Sequence, residues 1–166
     1  MEVDLRVGVL TLSDKASRGQ REDGSGTLAV TILKADGFSV AKQKIVPDDA
    51  LQIIDTLRNW VDRDRLPLII TSGGTGLSPS DVTPQAMKEI IDYEVPGIAE
   101  AMRAESLQKT PHAMLSRAMA GVRKCSLIIN LPGSPGGVKD NLTLVLPALK
   151  HALAKLQGDA SDCAIR

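Results

Sequence analysis

A three-layer α/β sandwich with a mostly parallel sheet is the fold class that the 166-residue sequence predicts. Short apolar runs alternate along the chain with longer segments of helical spacing, no repeat or linker interrupts the alternation, and the runs end in glycine- and serine-rich loops. Composition agrees, since 43% hydrophobic and 24% charged residues suit one globular domain with a proper core. That domain is expected over 1–157, with a polar C-terminal tail over 158–166.

The first strand is expected over 5–12 (LRVGVLTL), a buried run of Val and Leu. A polar loop covers 13–26, and 27–35 has helical character stopped at Gly37. Residues 38–46 alternate apolar and polar, as a strand exposed on one face does. Pro47, Asp48 and Asp49 open a helix reaching Asp64, because a carboxylate in the first turn accepts from free amides and suits the helix dipole. Its apolar positions are Leu51, Ile54, Leu57 and Val61, with Trp60 alongside. Residues 67–71 (PLIIT) form a short apolar strand. After the glycine-rich stretch 72–82, Thr83 can cap and Pro84 start a helix reaching Tyr93. Pro96 ends that element, 97–107 carries another amphipathic helix, and 111–121 reads as a shorter helical piece. The last strand is 126–131 (SLIINL), with Cys125 a small residue at its start. Helical pattern returns over 138–156, with Pro147 kinking or restarting it.

Several function classes are poorly supplied. Lysine plus arginine and aspartate plus glutamate both total 20, so no basic excess drives nucleic-acid binding. Phe38, Trp60 and Tyr93 are the only aromatic residues, too few to stack single-stranded bases. Cys125 and Cys163 make neither a disulfide framework nor a zinc knuckle, and His112 and His151 are too few for a histidine-rich metal site. His112 reads as a packing or surface residue. With no apolar run of membrane length and a charged opening at Glu2, Asp4 and Arg6, a cytoplasmic setting without a membrane is expected.

Chemistry is expected beyond the carboxyl ends of the strands, where an open α/β sheet binds its ligands. Three such ends carry unusual loops: 13 onward, 72–81 and 132–137. Glycines there let backbone amides approach a phosphate, and a following helix N-terminus favours negative charge. No lysine stands where a Walker A motif needs one, and no G-x-G-x-x-G is present. A lone Gly-Gly pair is as often an ordinary tight turn; two such loops in one small domain favour a site. Asp48, Asp49 and Asp81 lie near these loops. A carboxylate beside a phosphate loop needs a cation between them, and Mg²⁺ binds through one or two carboxylates plus phosphates. From spacing alone Asp48 is more readily a helix cap, whereas Asp81 precedes a better cap in Thr83. Ser116 and Arg117 offer a hydroxyl and a guanidinium to an anion.

The segments 71–76 (TSGGTG), 81–84 (DVTP), 111–117 (PHAMLSR) and 129–135 (INLPGSP), with 12–19 (LSDKASRG), Asp23, Ser25, Gly26 and 46–48 (VPD), resemble the molybdopterin-binding superfamily in order over 6–156. Within it they look like the MogA-type molybdopterin adenylyltransferases, related to the gephyrin G domain. The resemblance implies the MogA-like fold and a step of molybdenum cofactor biosynthesis. In that step AMP passes from Mg-ATP to the terminal phosphate of molybdopterin, giving adenylyl-molybdopterin and pyrophosphate. It further implies Mg²⁺ as cofactor, ATP and molybdopterin as substrates, a homotrimer, and hand-over of product to a molybdenum-insertase protein. By the same resemblance Asp48 and Asp81 are the catalytic, Mg²⁺-holding acids, and Asp49 can share or exchange that assignment with Asp48. Substrate binding falls to Ser13, Asp14, Ser72, Gly73, Gly74, Thr75, Gly76, Ser116, Arg117, Pro132, Gly133 and Ser134. The hydrophobic pattern allows a further apolar face for such an assembly, for instance around Ile98, Met102 and Met114, while composition alone is equally compatible with a monomer. Two rivals stand beside this reading: a non-catalytic molybdopterin-binding or carrier module of the same fold, and a nucleotide hydrolase. Both Asp48 and Asp81 being present favours the adenylyltransferase, since a pure binder has no need for carboxylates beside phosphates; nucleotidyl transfer needs alignment and charge neutralisation, and no histidine or thiol.

Overall fold

Apolar runs that can be covered on both faces make the middle of the sheet. In the computed structural model, which describes residues 2–161, β1 (Arg6–Leu12), β3 (Leu68–Ser72) and β6 (Ser126–Leu131) are almost wholly buried and run parallel. β2 (Ser39–Val46) pairs parallel with β1 at one edge. β5 (Ala120–Arg123) and β4 (Tyr93–Glu94) complete the other edge antiparallel, giving the order β2-β1-β3-β6-β5-β4. The sheet is thus mixed but mostly parallel.

Successive side chains on a strand point to opposite faces, and helices cover both. Val9, Ile70 and Ile129 pack with Leu33 of α2 (Gly24–Ala35), Met102 of α5 (Pro96–Leu107) and Leu142 of α6 (Pro135–Leu156). Leu10, Ile69 and Ile128 pack on the other side with Ile53 and Leu57 of α3 (Ala50–Arg58) and Met87 of α4 (Thr83–Lys88). Trp60, in the π-helical turn Asn59–Arg63 that continues α3, joins this second core and is 5% exposed. Among the described residues no helix is long and apolar enough to cross a membrane.

Several elements differ from the sequence pattern. The loop expected over 13–26 contains the short helix α1 (Asp14–Ser17), and α2 starts at Gly24 because Asp23 caps it. β2 is exposed along nearly its whole length, as an edge strand with one partner. The buried stripe of α3 runs through Ile53 and Leu57 to Trp60 and Val61, while Leu51 is 73% exposed. α4 stops at Lys88, and the Asp92 N–H donates to the Val122 carbonyl, drawing 93–94 to the sheet edge. Pro96 opens α5 rather than ending an element, its missing N–H being harmless in a first turn. Residues 111–121 split into a 3₁₀ turn, Pro111–Leu115, and β5, whose backbone finds its partners on β6. α6 begins at Pro135 and runs through Pro147, which lies on its exposed side where water can serve the freed carbonyl. Cys125 is exposed in the turn between β5 and β6, and Cys163 lies outside the described residues. Of the tail, 158–161 turns back on α6, with Lys155 Nζ donating to the carbonyls of Asp159 and Ser161. Met102 is core, so Ile98, Met102 and Met114 do not form one exposed apolar face; only Met114 stands out, at 64% exposure.

β1 has β2 on one side and β3 on the other, so the chain changes direction across the sheet between β1 and β3. The crevice such a switch opens lies at the carboxyl ends of the two strands.

Candidate active site

β1 delivers its first loop to that crevice. Ser13 caps α1, its Oγ accepting from the Ala16 N–H at 3.2 Å. The Asp14 N–H donates to Asp48 Oδ2 and the Asp48 N–H to Asp14 Oδ1, each at 3.1 Å, which joins the loops after β1 and β2. The cap of α3 is Asp49, whose Oδ1 accepts from the Gln52 N–H at 2.9 Å. With capping assigned to Asp49, the half-buried Asp48 side chain is left to the crevice.

The loop after β3 is held in a conformation that excludes side chains. Gly73 has φ +106°, and a Cβ on it would stand 2.3 Å from the Leu12 carbonyl oxygen. Gly74 has φ +65°, and a Cβ there would stand 2.3 Å from Thr83 Oγ1 and 3.3 Å from Asp48 Oδ1. Thr83 is not a helix cap: its hydroxyl donates to the Gly73 carbonyl at 2.9 Å, while Val82 occupies the cap position of α4 without a side-chain bond. Ser72, 3% exposed, has an Oγ with no hydrogen-bond partner among the described residues. Downstream, Asp81 closes a turn, with Oδ2 accepting the Ser78 N–H at 2.9 Å.

The loop after β6 lies against the same place. The Gly73 N–H donates to the Leu131 carbonyl at 3.1 Å, Ser25 Oγ donates to the Gly133 carbonyl at 2.7 Å, and Ser134 caps α6 through the Gly137 N–H. Asp23, which no pattern had singled out as a site residue, accepts from Thr11 Oγ1 at 2.7 Å and from the Gly26 N–H at 2.8 Å. It thereby ties the start of α2 to β1, and the cap spacing Asp23-x-x-Gly26 was its signal.

These loops bound two clefts that meet at Ser134. The first, of about 520 Å³, brings together Ser13, Asp48, Ser72, Gly73, Gly74, Asp81, Gly133 and Ser134, with residues from the N-termini of α2 and α6. The second, of about 370 Å³, takes Thr75, Gly76, Ser116, Pro132 and Ser134. It also contains His112, read from the sequence as a packing or surface residue, and Arg103, Lys109 and Asn141, which carry no pattern separating them from ordinary helix residues. Asp14 and Arg117 line neither cleft. Arg117 instead donates Nε to the Gly76 carbonyl at 2.7 Å and Nη2 to the Asp81 carbonyl at 2.5 Å.

Burial pushes the Asp48 carboxyl above its ordinary range, and the charges of Asp14 and Asp81 add to this, against the Asp14 amide bond that favours ionisation. Its charge lies among other carboxylates, so a cation would relieve it. Among the described residues no group of three or more His, Cys, Asp or Glu forms a protein cage for a metal. A carboxylate pair beside phosphate-sized loops fits Mg²⁺, which keeps substrate phosphates and water among its ligands.

The family model described as "Probable molybdopterin binding domain" matches residues 8–151. The chain belongs to this family. Within the family, a molybdopterin adenylyltransferase from Helicobacter pylori is 38% identical over 157 residues, covering 93% of this chain and 89% of the relative. Gephyrin from Dictyostelium discoideum is 44% identical over 157 residues, covering 89% of this chain, which spans only 22% of that longer protein. The solved structure of the molybdopterin biosynthesis enzyme MoaB from Thermus thermophilus is 51% identical, covers 93% of this chain and 98% of its own, and superposes with a TM-score of 0.88. The family's mostly parallel sheet with helices on both faces is the fold found here.

Proposed function

We propose that this chain acts in molybdenum cofactor biosynthesis as a molybdopterin adenylyltransferase, moving AMP from ATP to the terminal phosphate of molybdopterin. The observation that carries the reading is the meeting of Asp48 and Asp81 with the glycine loop after β3, the loop after β6 and the starts of α2 and α6 in one cleft. Helix N-termini and glycine amides attract phosphates, while the acids repel them unless a cation intervenes. The Helicobacter pylori relative, most of whose length this chain covers, bears the name of that activity.

In the reaction an oxygen of the terminal phosphate attacks the α-phosphorus of ATP. The bond from that phosphorus to the oxygen bridging the β-phosphate breaks, and pyrophosphate leaves with the electron pair. The chain's part is alignment and electrostatics: backbone amides of Gly74, Gly133 and Ser134 orient phosphate oxygens, with Ser72 in the wall of the same cleft. Asp48 and Asp81 would hold Mg²⁺, which when bound neutralises charge on the reacting and leaving phosphates. A second, adjoining cleft supplies room for a two-substrate reaction. The proposal includes a homotrimer, hand-over of product to an insertase, and a cytoplasmic setting, the last in keeping with the exposed free thiol of Cys125.

The test is pyrophosphate release by the purified chain given ATP, Mg²⁺ and molybdopterin, followed by detection of the adenylated pterin. Pterin binding without pyrophosphate at any Mg²⁺ concentration supports the carrier module, and ATP turnover without pterin supports the hydrolase. Mass in solution tests the trimer, a monomer at micromolar concentration refuting it.

A further inference from the structure

We propose that Arg117 is a positioning residue that fixes the place of Asp81 by clasping the two ends of the loop on which it stands, rather than a contact for a substrate anion. The inference rests on the adenylyltransferase reading for the role of Asp81. Between Gly76 and Asp81 the chain has no buried side chain of its own: Leu77, Ser78, Pro79 and Ser80 are all exposed. Its internal bonds are the Asp81 N–H to the Ser78 carbonyl, the Ser78 N–H to Asp81 Oδ2, a bond between the Ser78 and Ser80 hydroxyls at 3.0 Å, and a long one from the Ser80 N–H to Ser78 Oγ at 3.4 Å. A turn built so lightly does not by itself hold a carboxylate opposite Asp48.

Arg117 supplies what the turn lacks. Its Nε donates to the Gly76 carbonyl at 2.7 Å, its Nη2 to the Asp81 carbonyl at 2.5 Å, and its backbone N–H to the Thr75 carbonyl at 2.8 Å. A planar guanidinium presents its Nε and Nη2 donors at fixed spacing, so both ends of the turn are set relative to one rigid group, which a lysine ammonium cannot reproduce. The clasp is anchored in turn. Arg103 of α5 donates Nη1 to the carbonyls of Ala118 at 2.8 Å and Ser116 at 3.4 Å, the residues on either side of Arg117. Asp81 is therefore tied through two arginines to a helix packed in the core, although it stands on an exposed turn.

The experiment is a double-mutant cycle on the full chain, Arg117→Ala with Asp81→Asn, read by pyrophosphate release with enzyme in excess, together with amide hydrogen exchange at Ser78 without substrate. Misplacing a reacting group by an ångström costs about a hundredfold, so Arg117→Ala is expected to lower the maximal single-turnover rate by at least about thirtyfold, with the ATP concentration for half-maximal rate within about threefold. In the Asp81→Asn background the same change is expected to cost less than about threefold, because both substitutions remove one function. Arg117→Lys is expected to stay closer to Arg117→Ala than to the natural chain. Ser78 exchange is expected to rise at least about tenfold in Arg117→Ala, as its acceptor loses its place. Equal losses in the two backgrounds, or unchanged Ser78 exchange, overturn the clasp. A natural chain that releases no pyrophosphate overturns the adenylyltransferase reading alone, and the Ser78 exchange then still decides whether Arg117 holds the turn.

Discussion

Asp14 and Asp48 exchange hydrogen bonds, each backbone N–H donating to the other's carboxylate at 3.1 Å. The loops after β1 and β2 are thereby locked together, with Asp48 half-buried beside two other acids. A carboxyl whose pKa is raised holds its proton more tightly folded than unfolded. Stability therefore falls as pH rises from the ordinary value of 3.8 through the raised one, and the cost is fully present at neutral pH. Asp48→Asn keeps an acceptor for the Asp14 amide and removes that cost. The variant is expected to melt no lower than the natural chain at neutral pH, with any advantage fading as pH is lowered through the carboxylate range. Pyrophosphate release is expected to fall at least about a hundredfold. Melting curves across pH and the release assay check both; an active variant removes Asp48 from the reaction.

Asp49 is the contrasting neighbour. Its carboxylate serves the Gln52 N–H at the start of α3 and is exposed. Asp49→Ala is expected to lose about 1 kcal/mol of stability, the ordinary worth of a cap, with kcat unchanged. Denaturant titration and the release assay on one preparation test it. A large fall in kcat with unchanged stability would return the functional assignment to Asp49.

Asp81→Asn leaves an oxygen for the Ser78 N–H and removes only the charge. Melting is expected to change little and molybdopterin binding to persist. Adenylylation is expected to slow at least about a hundredfold, since a contribution made in the transition state appears in the rate at tenfold per ~1.4 kcal/mol. Normal turnover would make Asp81 a turn residue.

Gly73→Ala meets a positive φ and the Leu12 carbonyl together, and neither obstacle is a side chain that can swing aside. A loss of about 1–3 kcal/mol from backbone strain is expected before the clash is counted. Gly136→Ala, where an added Cβ meets nothing within 4 Å in the first turn of α6, is the control and is expected to be neutral or stabilising. Equal melting of the two variants would show that the glycine loop is not fixed.

Which parts of this molecule could be read from the sequence follows from where the information sits. The strands of β1, β3 and β6 announce themselves because Val, Leu and Ile runs bounded by glycine or serine have few other uses. β5 does not, since Ala120, Gly121 and Val122 have no strand signature and become a strand only through the backbone of β6. The glycine loops and the three acids are visible for the same reason as the strands: they stand at fixed places after apolar runs. The division of labour between Asp48 and Asp49 is not visible: spacing makes Asp48 the readier cap, and only the direction of α3 shows that Asp49 meets the Gln52 amide. Arg117 is similar. Its place after Ser116 suggests an anion, and only the folded turn shows a pair of carbonyls in front of it.

The indole of Trp60 gives the molecule its own optical label. It is the single tryptophan of the chain, almost fully shielded within the layer between the sheet and α3, and it lines neither cleft. Its emission should be blue-shifted while that layer is intact and move to the red when water reaches it. Substrate added at the carboxyl ends of the strands should leave the colour almost untouched. Denaturation of every variant above is thus readable without a dye, on a signal that does not mistake an empty cleft for a loosened fold.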